Sequence, residues 1–122
     1  MKILFLDDDH SRCGAFHWAN KDTHDLTIVH TVDEAIRALQ DGSWDIISLD
    51  HDLEPQHYEN LEGKHDRSGM AVAEWIAENA PDIGGNIIHT WNPCGAANMA
   101  RVLVDAGFSC VRREFNHQKC AI

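Results

Sequence analysis

The chain has 122 residues, of which 20 are acidic and 10 are basic, and its formal net charge is -10. A chain of this length is expected to form a single domain, residues 1–122, that buries most of its apolar surface without disulfide bonds. Its negative charge repels a polyanion and so argues against non-specific binding to duplex DNA.

Short apolar runs alternate with helical patterns along the whole chain. The predicted strands are residues 2–6, 26–30, 44–49, 86–90 and 109–113. The predicted helices are residues 10–20, 31–40, 69–79 and a run that begins after Asn92 and ends before Gly107. Three of the strands are almost wholly apolar, as strands covered on both faces must be.

Two of the helices have clear capping signals. Thr31 and Glu34 form a capping box at the start of the second helix. Asn92 is a cap followed by Pro93, which suits the first helical position, and Gly107 is a typical residue after a helix end. Strict alternation of strands and helices predicts a parallel sheet with helices on both faces, which is a three-layer α/β fold.

The chain has no feature of a secreted or membrane protein. The first apolar run, residues 3–6, is too short for a signal peptide, and no segment reaches the roughly 20 apolar residues of a membrane span. The four cysteines form no CxxC pair. We therefore expect a cytoplasmic protein with reduced thiols and no membrane partner.

Polar residues gather where the predicted strands end. In parallel α/β sheets, ligands bind outside the carboxyl ends of the strands. The residues at this edge are Asp7, Asp8, Asp9 and His10 after the first strand, Asp50, His51 and Asp52 after the third, His89, Thr90, Trp91 and Asn92 at the fourth, and Arg112 and Arg113 at the fifth. The opposite edge has no such set, so the sequence predicts a site at the carboxyl edge.

Asp7, Asp8 and Asp50 are the candidate metal ligands. Three converging carboxylates repel one another unless a cation or shared protons relieve them. We therefore predict a Mg²⁺ or Mn²⁺ ion at these three residues. Asp9 is expected instead to cap the first helix.

His51 and His89 are the candidate acid–base residues. Two histidines beside a bound phosphate can act as general base and general acid near neutral pH. The alternative is that each packs against a neighbour or caps a helix, but two at one edge beside carboxylates favour catalysis. Asp52 either orients His51 or caps the loop, and the second role is the expected one.

The start of the fourth helix is the candidate anion site. Asn92 and the amides after Pro93 point at the same edge, and Arg112 or Arg113 is placed to clamp a phosphate from the side. Trp91 is expected either to stack on a nucleobase or to be half-buried packing.

The stretches KILFLDDD, DIISLDHD and VRREF resemble the receiver domains of two-component response regulators over nearly the whole chain. The resemblance implies a flavodoxin-like fold with five strands in the order 2-1-3-4-5. It implies that Asp7, Asp8 and Asp50 hold Mg²⁺ and that Asp50 accepts a phosphoryl group. It also matches Thr90 to the family's strand-four hydroxyl and Arg113 to its strand-five lysine.

Three features depart from a signalling receiver. Gly69, which opens the third helix, lies 19 residues after Asp50, so residues 51–68 are expected to form an extended loop. Arginine replaces lysine at Arg113, which changes the geometry of a single-point contact. Only nine residues follow Arg113, so the fifth helix is expected to be truncated or absent, and the open edge would suit a homodimer.

The stretches SLDHDL, HTWNP followed by a glycine, and VRR are more similar to the cyclic-phosphate processing receiver domains, small receiver-like proteins of bacteria and phages. This resemblance implies action on the cyclic phosphate of a nucleotide or of an RNA end. Ring opening needs a base, an acid and charge stabilisation. His51 and His89 would supply the first two, and a metal with Arg113 and the helix start would supply the third. Alternatively, Asp50 attacks the phosphorus directly.

Three functions remain open from the sequence. The first is a metal-assisted phosphoesterase whose partner is a small nucleotide or an RNA-end cyclic phosphate. The second is a stand-alone receiver phosphorylated on Asp50. The third is a non-catalytic binder of a cyclic nucleotide. We rank them in that order, because a binder has little need of two histidines beside three carboxylates and a receiver has little need of the long loop.

Overall fold

The computed structural model describes residues 1–53 and 68–122. Within these ranges, strands and helices alternate along the chain. The strands are β1 (Lys2–Leu6), β2 (Asp25–Val29), β3 (Trp44–Leu49), β4 (Ile83–Ile88) and β5 (Cys110–Arg112). The helices are α1 (His10–Asn20), α2 (Val32–Asp41), α3 (Gly69–Asn79) and α4 (Pro93–Asp105).

The predicted elements are all present, with one clear shift of boundary. The fourth strand begins at Ile83 and ends at Ile88, whereas the sequence predicted residues 86–90. His89 and Thr90 therefore follow the strand. Of the predicted loop at residues 51–68, residues 54–67 lie outside the described part of the chain. The predicted extended loop therefore stays a prediction.

The five strands form one parallel sheet in the order β2-β1-β3-β4-β5, which confirms the predicted three-layer, flavodoxin-like fold. The hydrogen-bond ladder continues one residue past each of four strands. The N–H groups of Asp7, Asp50, His89 and Arg113 donate to carbonyls at the ends of neighbouring strands. The sheet itself therefore fixes the backbone of the residues that the sequence placed at the carboxyl edge.

The larger core lies on one face of the sheet, under α2, α3 and α4. Its buried residues include Leu4, Leu6, Ile47, Leu49 and Ile88 from the strands and Leu39, Val72, Ile76, Met99 and Leu103 from the helices. On the other face, Cys13 and Phe16 of α1 pack on Ile3 and Phe5. Within residues 1–53 and 68–122, none of the helices has the length and the apolar character that a transmembrane helix requires.

The start of α3 is anchored directly to the backbone that follows β3. The N–H of Gly69 donates to the carbonyl of His51 at 2.8 Å. A Cβ atom at Gly69 would lie 1.8 Å from the carbonyl oxygen of Asp50, so only glycine permits this approach. The glycine that opens α3 thus helps to hold Asp50 and His51 in place.

The segment after β5 covers the second face where a fifth helix was in question. It contains no helix in the described structure, which agrees with the expected truncation. Phe115 and Cys120 are nevertheless buried against Ile3, Phe5 and Phe16. The Asn20 side chain donates to the carbonyl of Cys120 and accepts from the N–H of Ile122. This face of the sheet is therefore covered, and the homodimer stays a prediction.

We expect Phe115→Ala to lower the free energy of unfolding by roughly 3 kcal/mol, because truncating a buried phenylalanine leaves a cavity against Phe5. Urea denaturation followed by circular dichroism measures this. The matched control is Val104→Ala, whose side chain is 55% exposed and whose loss should cost less than about 0.5 kcal/mol. Equal effects of the two changes would show that the segment after β5 does not pack as described.

Candidate functional site

Asp7, the residue after β1, is a fully buried carboxylate that accepts four hydrogen bonds. Oδ1 accepts from the N–H of Asp9 and from Nη2 of Arg12, both at 2.9 Å. Oδ2 accepts from Nε of Arg12 at 2.8 Å and from Nε2 of His89 at 3.0 Å. Burial raises the pKa of Asp7, but the bonds from His89, Arg12 and Asp9 together outweigh burial and lower it to about 2. Asp7 is therefore ionised, and its four acceptor positions are filled.

His89, the residue after β4, is buried and has both ring nitrogens engaged. An ionised Asp7 can only accept, so Nε2 of His89 carries the proton of their hydrogen bond. Burial lowers the pKa of His89 against the opposing effect of Asp7, so the ring is neutral. Nδ1 then accepts from the hydroxyl of Ser48 at 2.8 Å, and the ring stacks on Phe5 at 4.5 Å. His89 holds Asp7 in position.

Asp50, the residue after β3, has a strongly raised pKa. Burial, followed by the charge of Asp7, raises the pKa of Asp50 to about 7 against the opposing effects of Arg12, the N–H of His51 and the hydroxyl of Thr90. Its Oδ1 accepts from the N–H of His51 at 2.9 Å. A sizeable fraction of Asp50 therefore carries a proton at neutral pH.

Arg12 is the residue of this site that sequence reasoning missed. Its Nη1 lies 3.2 Å from Asp9, its Nη2 lies 3.5 Å from Asp50, and its Nε and Nη2 both bind Asp7. The hydrogen bond with Asp7 raises the pKa of Arg12 further. A signal was present, because Asp9 caps α1 as predicted and Arg12 is three residues on, in the first helical turn beside the carboxyl edge.

His51 is held between a carboxylate and the start of α4. Its Nδ1 lies 2.8 Å from Oδ1 of Asp52, and the same oxygen accepts from Nδ2 of Asn92 at 3.3 Å. The ring also lies close to Gly95, where a Cβ atom would come within 2.5 Å of the imidazole Cγ. The expectation that Asp52 only caps the loop is therefore wrong, since Asp52 orients His51.

The start of α4 offers less to an anion than the sequence suggested. Oδ1 of Asn92 accepts from the N–H of Gly95 at 3.0 Å, and Pro93 has no N–H. The cap thus leaves the amide of Cys94 and the positive end of the helix dipole for an anion. Beside them, a cavity of about 450 Å³ is lined by Ile88, Thr90, Pro93, Ala96, Arg112, Arg113 and Glu114.

Trp91, Arg113 and Asp8 are the other predicted site residues. Trp91 is 65% exposed, so the half-buried packing alternative is wrong and its ring is open to solvent. Nη2 of Arg113 lies 3.1 Å and 3.4 Å from the carbonyls of Lys119 and Ala121, so in this structure the guanidinium binds the segment after β5. Asp8 is half-buried. Substrate binding by Trp91 and Arg113 stays a prediction.

The acidic cluster that the sequence predicted is present, although its members differ. Within the described ranges, one set of side chains brings three potential ligand atoms within 4.8 Å of one another, namely Asp7, Asp50 and His89. Asp8 is not in this set. These residues do not fit a divalent metal as they stand, because Asp7 has no free acceptor position and His89 directs a proton, not a lone pair, at Asp7. The predicted Mg²⁺ or Mn²⁺ stays a prediction.

The sequence matches one known family along most of its length. The model of the cyclic-phosphate processing receiver domain matches residues 2–105. No curated protein has a significant match to this chain.

Several solved structures share the fold. The signal receiver domain of a Luxo repressor protein from Vibrio parahaemolyticus is 24% identical with a TM-score of 0.69, over 96% of this chain and 81% of that one. A CheY-like receiver domain from Methanospirillum hungatei is 16% identical with a TM-score of 0.69, over 95% and 83%. The response regulator TrrA from Thermotoga maritima, solved with Mg²⁺-BeF, is 20% identical with a TM-score of 0.63, over 95% and 90%. At these identities the likeness shows the fold.

We expect Asp50→Asn to stabilise the protein at alkaline pH. The pKa of Asp50 rises from 3.8 to about 7 on folding, so the folded protein binds the extra proton and its stability falls as the pH rises from about 4 to 7. Asparagine avoids that loss. At pH 8 the free energy of unfolding of the variant, measured by thermal unfolding in EDTA, should exceed that of wild type by more than about 1 kcal/mol, because one pKa unit corresponds to about 1.4 kcal/mol.

The advantage of Asp50→Asn should shrink towards pH 5, where the wild-type carboxyl keeps its proton. Asp41→Asn, at an exposed position at the end of α2, is the control and should show the same difference from wild type at both pH values. An effect of Asp50→Asn that does not change with pH would contradict a raised pKa of this carboxyl.

Proposed function

The chain belongs to the family of cyclic-phosphate processing receiver domains, and from this premise we propose that it is a phosphoesterase that opens a cyclic phosphate of a nucleotide or of an RNA end. The observation that carries the proposal is the pair of His51 and Asp52. A carboxylate orients this imidazole at the carboxyl edge of the sheet, against the start of a helix. An imidazole with one nitrogen held by a carboxylate is a common arrangement for a general base.

His51 acts on water in the proposed reaction. Nδ1 is directed at Asp52, which leaves Nε2 to take the proton from a water molecule. The water oxygen forms a new bond to phosphorus, the bond from phosphorus to one ribose oxygen breaks, and that oxygen receives a proton. Asp50 holds a proton up to about pH 7 and is the second acid–base group at this edge.

The phosphate and sugar are proposed to lie in the cavity beside Thr90. Pro93, at the positive end of α4, lines this cavity together with Arg112, Arg113 and Glu114. The helix end and the two arginines oppose the charge on the phosphoryl oxygens. The indole of Trp91 is exposed at the start of the same helix, where a nucleobase can stack on it.

His89 has a different part in this proposal from the one that the sequence suggested. Both of its nitrogens are bound, to Asp7 and to Ser48, and the ring is buried. We therefore propose that His89 positions Asp7, and that His51 and Asp50 are the acid–base groups. The metal-assisted variant of the mechanism is set aside for the same geometric reason, since Asp7 lacks a free acceptor position.

A stand-alone receiver phosphorylated on Asp50 is the second candidate function. The fold favours it, because Asp50 follows β3 at the carboxyl edge of a receiver-like sheet. We rank it second because His51, which follows Asp50, is a base held in place by Asp52.

A single panel of assays separates the candidate functions. The purified protein is incubated with 2′,3′-cyclic nucleotides, 3′,5′-cyclic nucleotides and cyclic dinucleotides, in EDTA and in Mn²⁺, and product and bound ligand are followed separately. Turnover supports the phosphoesterase and identifies the ring that it opens. Binding without product indicates a sequestering protein. A parallel incubation with acetyl phosphate tests the receiver function, which is indicated by labelling that Asp50→Asn abolishes.

We expect His51→Ala to lower kcat/KM on the substrate so identified by roughly 10²-fold or more, because a general base is lost. His17→Ala is the matched control, since His17 is an exposed histidine on α1, remote in sequence from the β3 end. Circular dichroism should show that both variants keep the fold. Full activity of His51→Ala would rule out His51 as the base.

We expect Gly95→Ala to reduce turnover without removing any reacting group. A Cβ atom at residue 95 would meet the imidazole of His51 at 2.5 Å, so the ring must leave the position in which Asp52 holds it. Gly14→Ala is the control, because a Cβ atom there meets nothing within 4 Å. Steady-state kinetics of both variants should show the loss for Gly95→Ala alone, and equal rates would mean that the ring position does not matter.

A further inference from the structure

We propose that Arg12 is the resident cation of three carboxylates, those of Asp7, Asp9 and Asp50, and that a divalent metal binds Asp7 and Asp50 only when Arg12 is displaced or removed. The proposal concerns ion binding and does not require that the protein hydrolyse any substrate. It reverses the expectation that the converging carboxylates imply Mg²⁺ or Mn²⁺ at this edge of the sheet.

The first step of the argument is the pairing of Arg12 with Asp7. Nε and Nη2 of Arg12 bind the two oxygens of Asp7 at 2.8 and 2.9 Å, in the two-point geometry that suits a guanidinium and a carboxylate. The N–H of Asp9 and Nε2 of His89 take the remaining acceptor positions. A metal therefore gains Asp7 as a ligand only by breaking one of these bonds.

The second step is the place that the guanidinium occupies. Nη2 of Arg12 lies 2.9 Å from Oδ1 of Asp7 and 3.5 Å from Oδ2 of Asp50, so one nitrogen contacts both carboxylates. Nη1 extends the contact to Asp9 at 3.2 Å. A metal shared by Asp7 and Asp50 would lie close to the positive charge of the guanidinium and would be repelled by it.

The third step is what remains without the guanidinium. Asp7 and Asp50 are both buried and, together with His89, keep three potential ligand atoms within 4.8 Å of one another. Two buried carboxylates at this separation need a cation or a proton. The Arg12 side chain is 26% exposed, so its truncation opens a path from solvent to both carboxylates.

Titration of the full chain with Mn²⁺, without any nucleotide, tests the proposal. Free Mn²⁺ is followed by electron paramagnetic resonance for wild type, Arg12→Ala and the control Arg101→Ala, an exposed arginine of α4 that binds Asn98. We expect Arg12→Ala to bind Mn²⁺ at least tenfold more tightly than the other two. Adding Asp50→Asn to Arg12→Ala should return the affinity to the wild-type value.

Two results would overturn the proposal. One is wild-type binding of Mn²⁺ as tight as that of Arg12→Ala, and the other is saturable wild-type binding that Asp50→Asn abolishes. If Arg12→Ala does not fold, the comparison of wild type with Asp50→Asn still tests the proposal. The proposal then requires that these two proteins bind Mn²⁺ equally weakly. Folding of Arg12→Ala only in the presence of Mn²⁺ would support it. Because the titration contains no cyclic phosphate, its failure leaves the phosphoesterase proposal standing.

Discussion

The carboxylate of Asp7, ionised with no exposure to solvent, is the constraint on which the arrangement of this site depends. A buried charge is tolerated only with a complete set of donors. Here the donors come from three parts of the chain, since Arg12 is in α1, His89 follows β4, and the N–H of Asp9 belongs to the turn after β1. Satisfying Asp7 therefore fixes α1 and the end of β4 relative to β1, and it places the positive charge of Arg12 next to Asp50.

The consequence is a carboxyl edge with two unlike halves. In one half, Asp7, Asp50, Arg12 and His89 satisfy one another and are largely buried. In the other half, His51 keeps one nitrogen directed at Asp52 and faces the start of α4 next to an open cavity. A substrate is more readily accommodated in the second half, which Asp50 adjoins through the N–H of His51 and the hydroxyl of Thr90. The receiver fold is thus retained, while the proposed base is the residue that follows Asp50 and Asp50 is the proposed acid.

The segment after β5 explains why Arg113 does not reach the acidic cluster. Its guanidinium binds the carbonyls of Lys119 and Ala121, and Phe115 fills the face of the sheet next to Phe5. The same segment provides the aromatic neighbour of His89, whose ring lies 6.0 Å from that of Phe115. One stretch of chain therefore covers the sheet, directs Arg113 away from Asp50 and keeps His89 dry, which lowers the pKa of its imidazole.

The sequence by itself determined the strands, the helices, their caps and the set of residues at the carboxyl edge. These depend on local periodicity and on the rule that parallel strands end together, so Asp7, Asp50, His51 and His89 could be placed there in advance. Only the tertiary structure decided which of them touch. These contacts depend on side-chain directions and on distances between residues up to 82 positions apart. They are the ion pair of Arg12 with Asp7, the hydrogen bond from Ser48 to His89, the hydrogen bond between His51 and Asp52, and the hydrogen bonds from Arg113 to the segment after β5. The residue types predicted an acidic cluster at this edge, but the cation next to it was missed, because the direction of the Arg12 side chain depends on how α1 packs on the sheet.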